Sequence, residues 1–505
     1  MKRLLCATLE SNKAYSIEVE SAFVRALPSF SIVGLANQSI QESRDRIKAA
    51  LNSIEFKFPA QKITVNLSPS DLKKEGSHFD LGIALLVALQ KEAVNFRDFY
   101  IFGELGLDGS IKSTTSIFPI VLSLANSVKN LKVIVPNDIS KLISSIPNIE
   151  VYALSTLHEA VLFFQEPEKQ EEKKSTNTHP LFANPLIIND KIYIQNSDFS
   201  LDFKDIKGQE QAKNAIMIAA AGFHNILLEG SPGCGKSMSI KRLQYILPPL
   251  SIEELLEITA NSSLNGEISD FSPLRPFRSP HHTSSRPSIF GGGSNFGAKI
   301  GEVAIAHNGI LFFDEFPHFA KQILESLREP LEDNQVLISR VNSKVCYKTK
   351  FLFAAAQNPC PCGNLFSQKR VCKCSDLEIQ RYKSKISSPV LDRIDLYVQM
   401  DESLIEDKSE LDSAKMYAKV LNAFKMQKNR NQEELNGKMS DKEMKRVCGL
   451  NKEADEVLAN ANARFGLSHR SIGKIKRVAR TIADLDEKEM IDKTSILKAL
   501  SFRQR

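Results

Sequence analysis

The chain has 505 residues, of which 42% are hydrophobic. Its 66 basic and 60 acidic residues give a net charge of +6. This excess of positive charge is too small to indicate nucleic-acid binding by itself. This length predicts a multidomain globular protein with two or three hydrophobic cores. No apolar run approaches the roughly 20 residues that span a bilayer, and Met1–Glu10 is too short an apolar segment for a secretory signal, so we expect a cytoplasmic protein without a membrane partner.

Residues 1–165 are predicted to form a separate α/β domain, because short alternating runs are interleaved with helical patterns. The predicted strands are Tyr15–Val19, Ile63–Leu67, Ile101–Glu104 and Lys132–Val135, and the predicted helices are Ser39–Ile54, Phe79–Gln90 and Ile117–Ser127. Two segments, Lys74–Ala84 and Gly103–Ile111, resemble the catalytic domain of Lon-type proteases, in which a serine and a lysine form the catalytic dyad.

The Lon-like segments leave this dyad incomplete. When they are laid on the family's pattern, the nucleophile position falls on Asp80 and the lysine position on Phe118, and neither side chain can perform that chemistry. Ser77 with Lys73 or Lys74 is the alternative for a peptidase. We expect instead a degenerate scaffold used for assembly or DNA contact.

Residues 166–199 are predicted to be a charged linker. The stretch Gln165–Asn177 is rich in Glu and Lys and cannot bury enough apolar surface to fold alone. A short β-like run follows at Ile187–Ile194, so the sequence leaves open whether the linker is mobile or pinned.

Residues 200–400 are predicted to form an ATPase core around Gly230–Ser237, which fits the pattern G-x-x-x-x-G-K-[ST] between the apolar run Ile226–Leu228 and a helix-like segment. In such a loop, backbone N–H groups wrap the phosphates of ATP, Lys236 reaches the β and γ oxygens, and the hydroxyl of Ser237 holds magnesium. The predicted nucleotide-binding residues are Gly230, Ser231, Pro232, Gly233, Cys234, Gly235, Lys236, Ser237 and Met238.

Two further apolar strands end in polar residues suited to nucleotide hydrolysis. After the run Ile310–Phe313, Asp314 would hold magnesium through water and Glu315 would orient or deprotonate the attacking water. Asn358 closes another strand and would sense the γ-phosphate or position water, with a strand-capping role as the alternative. These residues predict an ATP- and magnesium-dependent ATPase.

Four of the eight cysteines crowd into one short stretch, which indicates a local site rather than a disulfide framework. Four thiolates can complete a tetrahedral zinc site, although the C-x-C spacing here departs from the usual C-x₂-C. We predict zinc binding, with reduced free thiols as the alternative, and the nearby Lys369, Arg370 and Lys373 suit a DNA or subunit contact. The cysteines are Cys360, Cys362, Cys372 and Cys374.

Seven ordered motifs closely resemble the ComM (YifB) family of magnesium-chelatase-like AAA+ ATPases. They are Gly230–Ser237, Arg278–Thr283, Gly291–Gly293, His307–Glu315, Leu327–Asp333, Asn358–Gly363 and Leu391–Asp395. The resemblance covers the whole chain and implies an α/β protein, with a P-loop αβα sandwich, β-hairpin insertions and a carboxyl-terminal helical lid. It also implies a homo-hexameric ring that acts as a DNA helicase and branch-migration factor, on single-stranded or branched DNA, when incoming DNA is recombined.

Two stretches fit the β-hairpins that the resemblance implies. Ser272–Gly301 is predicted to be a pore loop, with His281 and His282 in a loop core as the alternative. Gln335–Lys350 alternates like a hairpin, and its basic residues would contact DNA phosphates without reading bases, or would form a solvated surface. The predicted DNA-binding residues are Arg340, Lys344, Lys348 and Lys350.

A catalytic residue supplied by a neighbouring subunit is expected in ring ATPases of this class. Arg393 matches the family's arginine-finger position, from which the guanidinium stabilises charge on the γ-phosphoryl group of the neighbour's ATP. An intrachain salt bridge with Asp392 or Asp395 is the alternative.

Residues 401–505 show helical periodicity and are predicted to form the lid. Arg470 matches the family's second sensor, which reaches ATP from the lid, and Arg477 and Arg480 are rivals for that role. The predicted helices are Ser409–Lys428, Lys442–Cys448, Lys452–Arg464, His469–Leu485 and Lys493–Leu500.

Two classes of function remain besides the peptidase. The leading one is a DNA-translocating ATPase, and the second is an ATP-driven protein remodeller or a chelatase-like subunit of a larger complex. The basic hairpin favours DNA, whereas a hydrophobic pore loop, for which Ile289–Gly291 is the candidate, favours a polypeptide.

Overall fold

The computed structural model describes residues 2–10, 13–34, 38–176, 179–267, 270–294, 297–339, 344–401 and 411–503. The chain divides into two compact units. The first comprises Met1–Ala183, Thr259–Phe271 and Asn342–Val345, and the second comprises Asn184–Ile258, Ser272–Val341 and Cys346–Arg505. In these described ranges, no helix is both long and apolar enough to cross a membrane.

The first unit is a mixed α/β structure. Its strands are β1 (Lys2–Glu10), β2 (Lys13–Val24), β3 (Ser29–Val33), β4 (Lys62–Ser68), β5 (Tyr100–Ile101), β6 (Glu104–Leu105), β7 (Ile111–Lys112), β8 (Leu131–Pro136), β9 (Ile149–Leu154) and β10 (Lys174–Ser175). Its helices are α1 (Gln38–Ser53), α2 (Asp80–Ala88), α3 (Ile117–Ala125), α4 (Asn137–Ile143) and α5 (Leu157–Gln165). Eight strands form one sheet in the order β10-β9-β8-β5-β1-β2-β4-β3, and β6 pairs with β7.

Helix α2 is apolar on nearly every side, and such a helix lies in a core rather than on a surface. It carries Asp80 into the interior, where the carboxylate accepts a hydrogen bond from Arg46 Nε at 2.8 Å. Burial raises the pKa of Asp80, although the hydrogen bonds from Arg46 and Ser43 act in the opposite direction. Phe118 is fully buried as well. The two Lon-like dyad positions are therefore structural in this chain.

The alternative peptidase dyad is not formed either. The hydroxyl of Ser77 donates to a carboxylate oxygen of Glu104. Lys74 donates to the carbonyl oxygen of Pro69, and Lys73 pairs with a neighbouring glutamate. Because neither amine contacts the serine hydroxyl in the contacts described, this unit shows no serine–lysine catalytic geometry.

The remaining strands follow in chain order: β11 (Leu186–Ile188), β12 (Lys191–Ile194), β13 (Ile226–Gly230), β14 (Leu250–Ser251), β15 (Phe277–Arg278), β16 (Gly292–Ser294), β17 (Gly297–Lys299), β18 (Ile310–Phe313), β19 (Gln335–Ser339), β20 (Lys344–Lys348), β21 (Leu352–Gln357) and β22 (Leu396–Met400). The remaining helices are α6 (Glu210–Gly222), α7 (Lys236–Leu243), α8 (Ile252–Leu264), α9 (Arg286–Phe290), α10 (Glu302–Ile305), α11 (Lys321–Ser326), α12 (Arg328–Asp333), α13 (Asp376–Lys383), α14 (Ser388–Leu391), α15 (Ser413–Asn429), α16 (Asp441–Val447), α17 (Lys452–Phe465), α18 (His469–Leu485) and α19 (Lys493–Ser501). Short 3₁₀ helices lie at Pro167–Lys173, Pro180–Phe182, Phe203–Asp205, Gln244–Ile246 and Phe316–His318.

The second unit is centred on a five-stranded parallel sheet with the order β15-β18-β21-β13-β22. Strands β13, β18 and β21 are buried along their whole length. A parallel sheet covered on both faces needs such continuous apolar runs. Because the strands run in the same direction, the residues that follow β13, β18 and β21 meet at one edge of the sheet.

The stretch predicted as a charged linker, residues 166–199, is divided between the two units after Ala183. Its first part contains β10, which pairs with β9, and its second part contains β11 and β12, which extend to β14. The predicted domain boundaries stay predictions.

One predicted helix is divided in the structure. The helical pattern at Ala320–Glu329 predicts a single helix, but α11 ends at Ser326 and α12 begins at Arg328. Pro330 explains the break, because it cannot donate to the carbonyl four residues earlier and its ring clashes there. The five lid helices are confirmed as α15 to α19 with small shifts at their ends, and the predicted start at Ser409 lies outside the described residues.

Candidate nucleotide-hydrolysis site

The loop between β13 and α7 has the conformation of a phosphate cradle. Gly233 and Gly235 have φ angles of +83° and +95°, in the left-handed region that favours glycine. A Cβ atom built on either residue would meet nothing within 4 Å, so both face open space. The loop leads directly into the N-terminus of α7, where unpaired backbone N–H groups attract anions.

Lys236 joins this loop to the neighbouring strand. Its ammonium donates to the carbonyl oxygens of Gly230 at 2.7 Å and Ser231 at 2.9 Å, and to Oδ1 of Asn358 at 3.2 Å. Burial lowers the pKa of this ammonium. The structure thus brings together the predicted P-loop lysine and the predicted sensor, which are far apart in the sequence.

The donor set for magnesium is also assembled. The hydroxyl of Ser237 donates to Oδ2 of Asp314 at 2.6 Å. A hydroxyl and a carboxylate side by side, next to a phosphate-binding loop, are the hard oxygen ligands that magnesium takes. The residues present therefore fit this ion.

Two histidines flank Glu315, and the sequence did not reveal them as part of the site. Glu315 lies just after β18 with a φ angle of +52°. One of its carboxylate oxygens lies 3.5 Å from Nδ1 of His282 and 3.7 Å from Nδ1 of His318. From the sequence, His282 was expected in a loop core or a pore loop. The sequence signal that could have pointed to the site was its place in the motif Arg278–Thr283.

The four clustered cysteines lie directly after Asn358. Their sulfur atoms all lie within 4.8 Å of one another, and the Cys360–Cys362 sulfur distance is 3.4 Å. None of the eight cysteines, all of which lie in the described residues, forms a disulfide bond. Four thiols this close together fit a tetrahedral zinc ion better than separate free thiols.

Arg393 and Arg470 converge on a single carboxylate. Arg393 Nη2 pairs with Glu332, and Arg470 Nη1 lies 3.3 Å from the other oxygen of Glu332. Burial lowers the pKa of Arg393, and the nearby Arg470 and Arg328 lower it further. The buried Nε of Arg393 has no hydrogen-bond partner in the part of the chain described. Arg470 Nε also lies 3.9 Å from Asp392, so each carboxylate in this cluster has an arginine beside it while Nε of Arg393 stays without a partner in the described residues.

The two rivals of Arg470 have structural partners. Arg480 is fully buried and pairs with Asp484 at 2.9 Å. Arg477 pairs with Asp441 at 2.7 Å. Of these three arginines, Arg470 alone contacts Glu332 beside Arg393 in the described residues. Asp395, the alternative partner of Arg393, lies instead 3.7 Å from a histidine nitrogen.

The basic hairpin is partly neutralised within the chain. Lys348 Nζ lies 2.7 Å from Glu257, and Lys350 Nζ lies 3.0 Å from Glu434. Burial would raise the pKa of Glu257, but hydrogen bonds from His307 and Lys348 lower it to about 2. Lys344 is exposed, and Arg340 lies outside the described residues. The structure therefore separates Lys344 from the two lysines near the hairpin base.

The candidate pore segment contains a second hairpin, formed by β16 and β17. The two hydrophobic residues expected to grip a polypeptide are buried: Ile289 is 0% exposed and Phe290 is 4% exposed. They belong to α9 and its packing, so this segment offers no exposed hydrophobic pair at 289–290.

Comparisons with known proteins agree along the chain. The family model "Magnesium chelatase, subunit ChlI" matches residues 202–408, "Subunit ChlI of Mg-chelatase" matches residues 19–139, and "Magnesium chelatase, subunit ChlI C-terminal" matches residues 410–503. The chain is 35% identical to competence protein ComM of Haemophilus influenzae over 498 residues, covering 96% of this chain and 94% of ComM. It is 34% identical to the uncharacterized protein YifB of Salmonella typhimurium, covering 96% and 94%, and to that of Escherichia coli, covering 96% and 94%.

Proposed function

The chain belongs to the magnesium-chelatase-like ComM and YifB family, and from this premise we propose that it is an ATP-hydrolysing ring motor that acts on DNA. The observation that carries the ATPase part is the edge of the parallel sheet, where the P-loop, Asp314, Glu315 and Asn358 meet. Family membership also supports an ATPase. The role of each residue in ATP hydrolysis is our proposal for this chain.

The residues divide the work of hydrolysis as follows. The N–H groups of the loop and Lys236 bind and orient the triphosphate. Glu315 accepts the proton of the attacking water or holds that water in line, and His282 and His318 hold the carboxylate in place. Asn358, which accepts a hydrogen bond from Lys236, would contact the γ-phosphate or position the water in this proposal.

Ser237 and Asp314 would hold the magnesium ion. When bound there, magnesium neutralises the charge that develops on the β- and γ-phosphates. The short Ser237–Asp314 hydrogen bond keeps both ligands in place before nucleotide arrives. Zinc in the cysteine cluster is a second part of this proposal.

We propose a homo-hexameric ring, and the arginine cluster supports an interface between neighbouring subunits. Arg393 and Arg470 share Glu332, and one buried guanidinium nitrogen of Arg393 has no partner in the described chain. A surface of this kind would be completed by the phosphates of the neighbouring subunit's ATP. We assign Arg393 as the finger and Arg470 as its companion from the lid.

DNA is the proposed substrate because the most informative relative in the comparison is named a competence protein, and competence concerns DNA uptake. We further propose that the chain has helicase and branch-migration activity on single-stranded or branched DNA during recombination. The proposed location is the cytoplasm. The burial of Ile289 and Phe290 removes the sequence feature that favoured a protein remodeller.

The test of the proposed function is the ATPase rate of the purified chain with and without single-stranded, duplex and branched DNA. A DNA motor should hydrolyse ATP several-fold faster with its preferred DNA, because translocation is coupled to turnover. The control uses the same DNA with the Lys236→Ala variant. If no DNA form changes the ATPase rate and an unfolded polypeptide raises it, the result would support the protein remodeller instead.

The hairpin prediction concerns salt dependence. The double change Arg340→Ala with Lys344→Ala should weaken binding about equally across sequences, and each lost phosphate contact should flatten the log–log salt dependence by about 0.9. Lys348→Ala is the matched control, because its ammonium already pairs with Glu257.

Filter binding from low to high salt measures the slope, and thermal unfolding checks that both variants are folded. An unchanged slope in the double variant would show that the hairpin is only a solvated surface. A slope change in the Lys348 control as large as in the double variant would show that its ion pair opens on DNA.

A further inference from the structure

The loop that carries the cysteine cluster lies against the P-loop of the same chain. Gly363 has a φ of +78°, and a Cβ atom built on it would lie 2.6 Å from ring carbons of Pro232. A groove has Ser231–Cys234 on one side and Asn364, Lys369 and Arg370 on the other. Two cationic side chains therefore face the backbone that is built to wrap phosphate.

The position of these two cations depends on the cysteines. Cys360 and Cys362 lie at one end of the loop, and Cys372 and Cys374 lie at the other, with all four sulfur atoms within 4.8 Å. Between the pairs, the described residues form no helix or strand, and Val371 is 84% exposed. A metal ion can fix such a coreless loop.

The loop also turns its cationic residues by local hydrogen bonds. The hydroxyl oxygen of Ser367 accepts the backbone N–H groups of Lys369 at 3.2 Å and Arg370 at 3.0 Å. Both side chains are exposed and line the groove, and neither pairs with an acidic side chain in the described part of the chain. A planar guanidinium beside a flexible ammonium can contact several phosphate oxygens at once.

We propose that Lys369 and Arg370 bind the triphosphate of ATP in the same chain, and that a zinc ion in the cysteine cluster holds them there. Nucleotide affinity then depends on zinc, although zinc touches neither ATP nor magnesium. This inference rests on the proposed ATPase function and adds two nucleotide-binding residues beside the P-loop.

The experiment measures binding of a non-hydrolysable ATP analogue by calorimetry, together with the zinc content of each protein by elemental analysis. The parent should hold one zinc ion per chain. The double change Lys369→Ala with Arg370→Ala should keep the zinc and bind the analogue roughly ten- to a hundredfold more weakly, as expected for lost hydrogen bonds to a charged group. Lys373→Ala, which removes one positive charge from the same loop outside the groove, should keep the parent's affinity.

Metal dependence is tested in two ways. Cys372→Ser should lose zinc and should weaken analogue binding as much as the double variant does. Combining Cys372→Ser with the double variant should weaken binding no further, because both changes remove the same contacts. In case that variant misfolds, zinc is removed from the parent with a chelator, and adding zinc back should restore the affinity.

The outcomes separate this inference from the proposed function. Affinity of the double variant within twofold of the parent overturns the phosphate contact. A parent without zinc, or a zinc-free parent with full affinity, overturns the metal dependence. If Lys236→Ala also binds the analogue as tightly as the parent, the P-loop assignment itself fails.

Discussion

Glu315→Gln should lower the rate of ATP hydrolysis by about 10²- to 10⁴-fold while leaving ATP binding intact. The amide cannot accept a proton from water, yet it keeps the shape of the carboxylate and its place between His282 and His318. The variant should therefore accumulate in the ATP-bound form, and ring assembly should be enhanced by ATP if the bound nucleotide joins neighbouring subunits.

Steady-state phosphate release and equilibrium nucleotide binding check this prediction. Lys236→Ala is the contrasting variant, because it removes the ammonium that lies between the loop carbonyls and Asn358 and should lose binding as well as hydrolysis. Parent-like turnover by Glu315→Gln would show that another group activates the water. Parent-like turnover by both variants would remove the ATPase assignment.

Arg393→Ala should lower the hydrolysis rate by about 10³- to 10⁵-fold, the range known for arginine fingers. Its guanidinium would stabilise charge on a phosphoryl group held by another subunit, so the loss should appear in turnover more than in nucleotide binding. Arg464→Ala is the control, because Arg464 is an exposed arginine on the lid helix α17, away from the Arg393 cluster in sequence. This control should hydrolyse ATP at close to the parent's rate.

Mixing two inactive variants decides whether Arg393 acts across an interface. Subunits with Arg393→Ala have an intact P-loop, and subunits with Lys236→Ala have an intact finger. Some interfaces in a mixed ring therefore combine both, and part of the activity should return. If mixed assembly is demonstrated by a tag on one variant and no activity returns, Arg393 serves its own chain.

Several elements of the fold could be predicted because their causes are local. Helix α18 was predicted over His469–Leu485 and has those bounds, since Ser468 accepts the N–H of Ser471 at its start and apolar residues recur at helical spacing. The strand Ile101–Glu104 was predicted less well. The structure divides it into β5 and β6, because the two ends pair with different strands.

The sequence by itself determined which polar residues meet beside the P-loop at the edge of the parallel sheet. The P-loop is a contiguous stretch whose glycines set the backbone, and the strands before Asp314 and Asn358 are continuous apolar runs that only a buried parallel sheet explains. Parallel strands then oblige these polar residues to meet at one edge.

Tertiary structure alone decided what the charged side chains do. It gave Arg393 and Arg470 one shared carboxylate, paired Lys350 with Glu434, and laid the cysteine loop on the P-loop. Each of these contacts joins residues far apart in the chain. Ion pairs and loop contacts of this kind leave no periodic pattern in the sequence, because they depend on which surfaces the folded elements bring together.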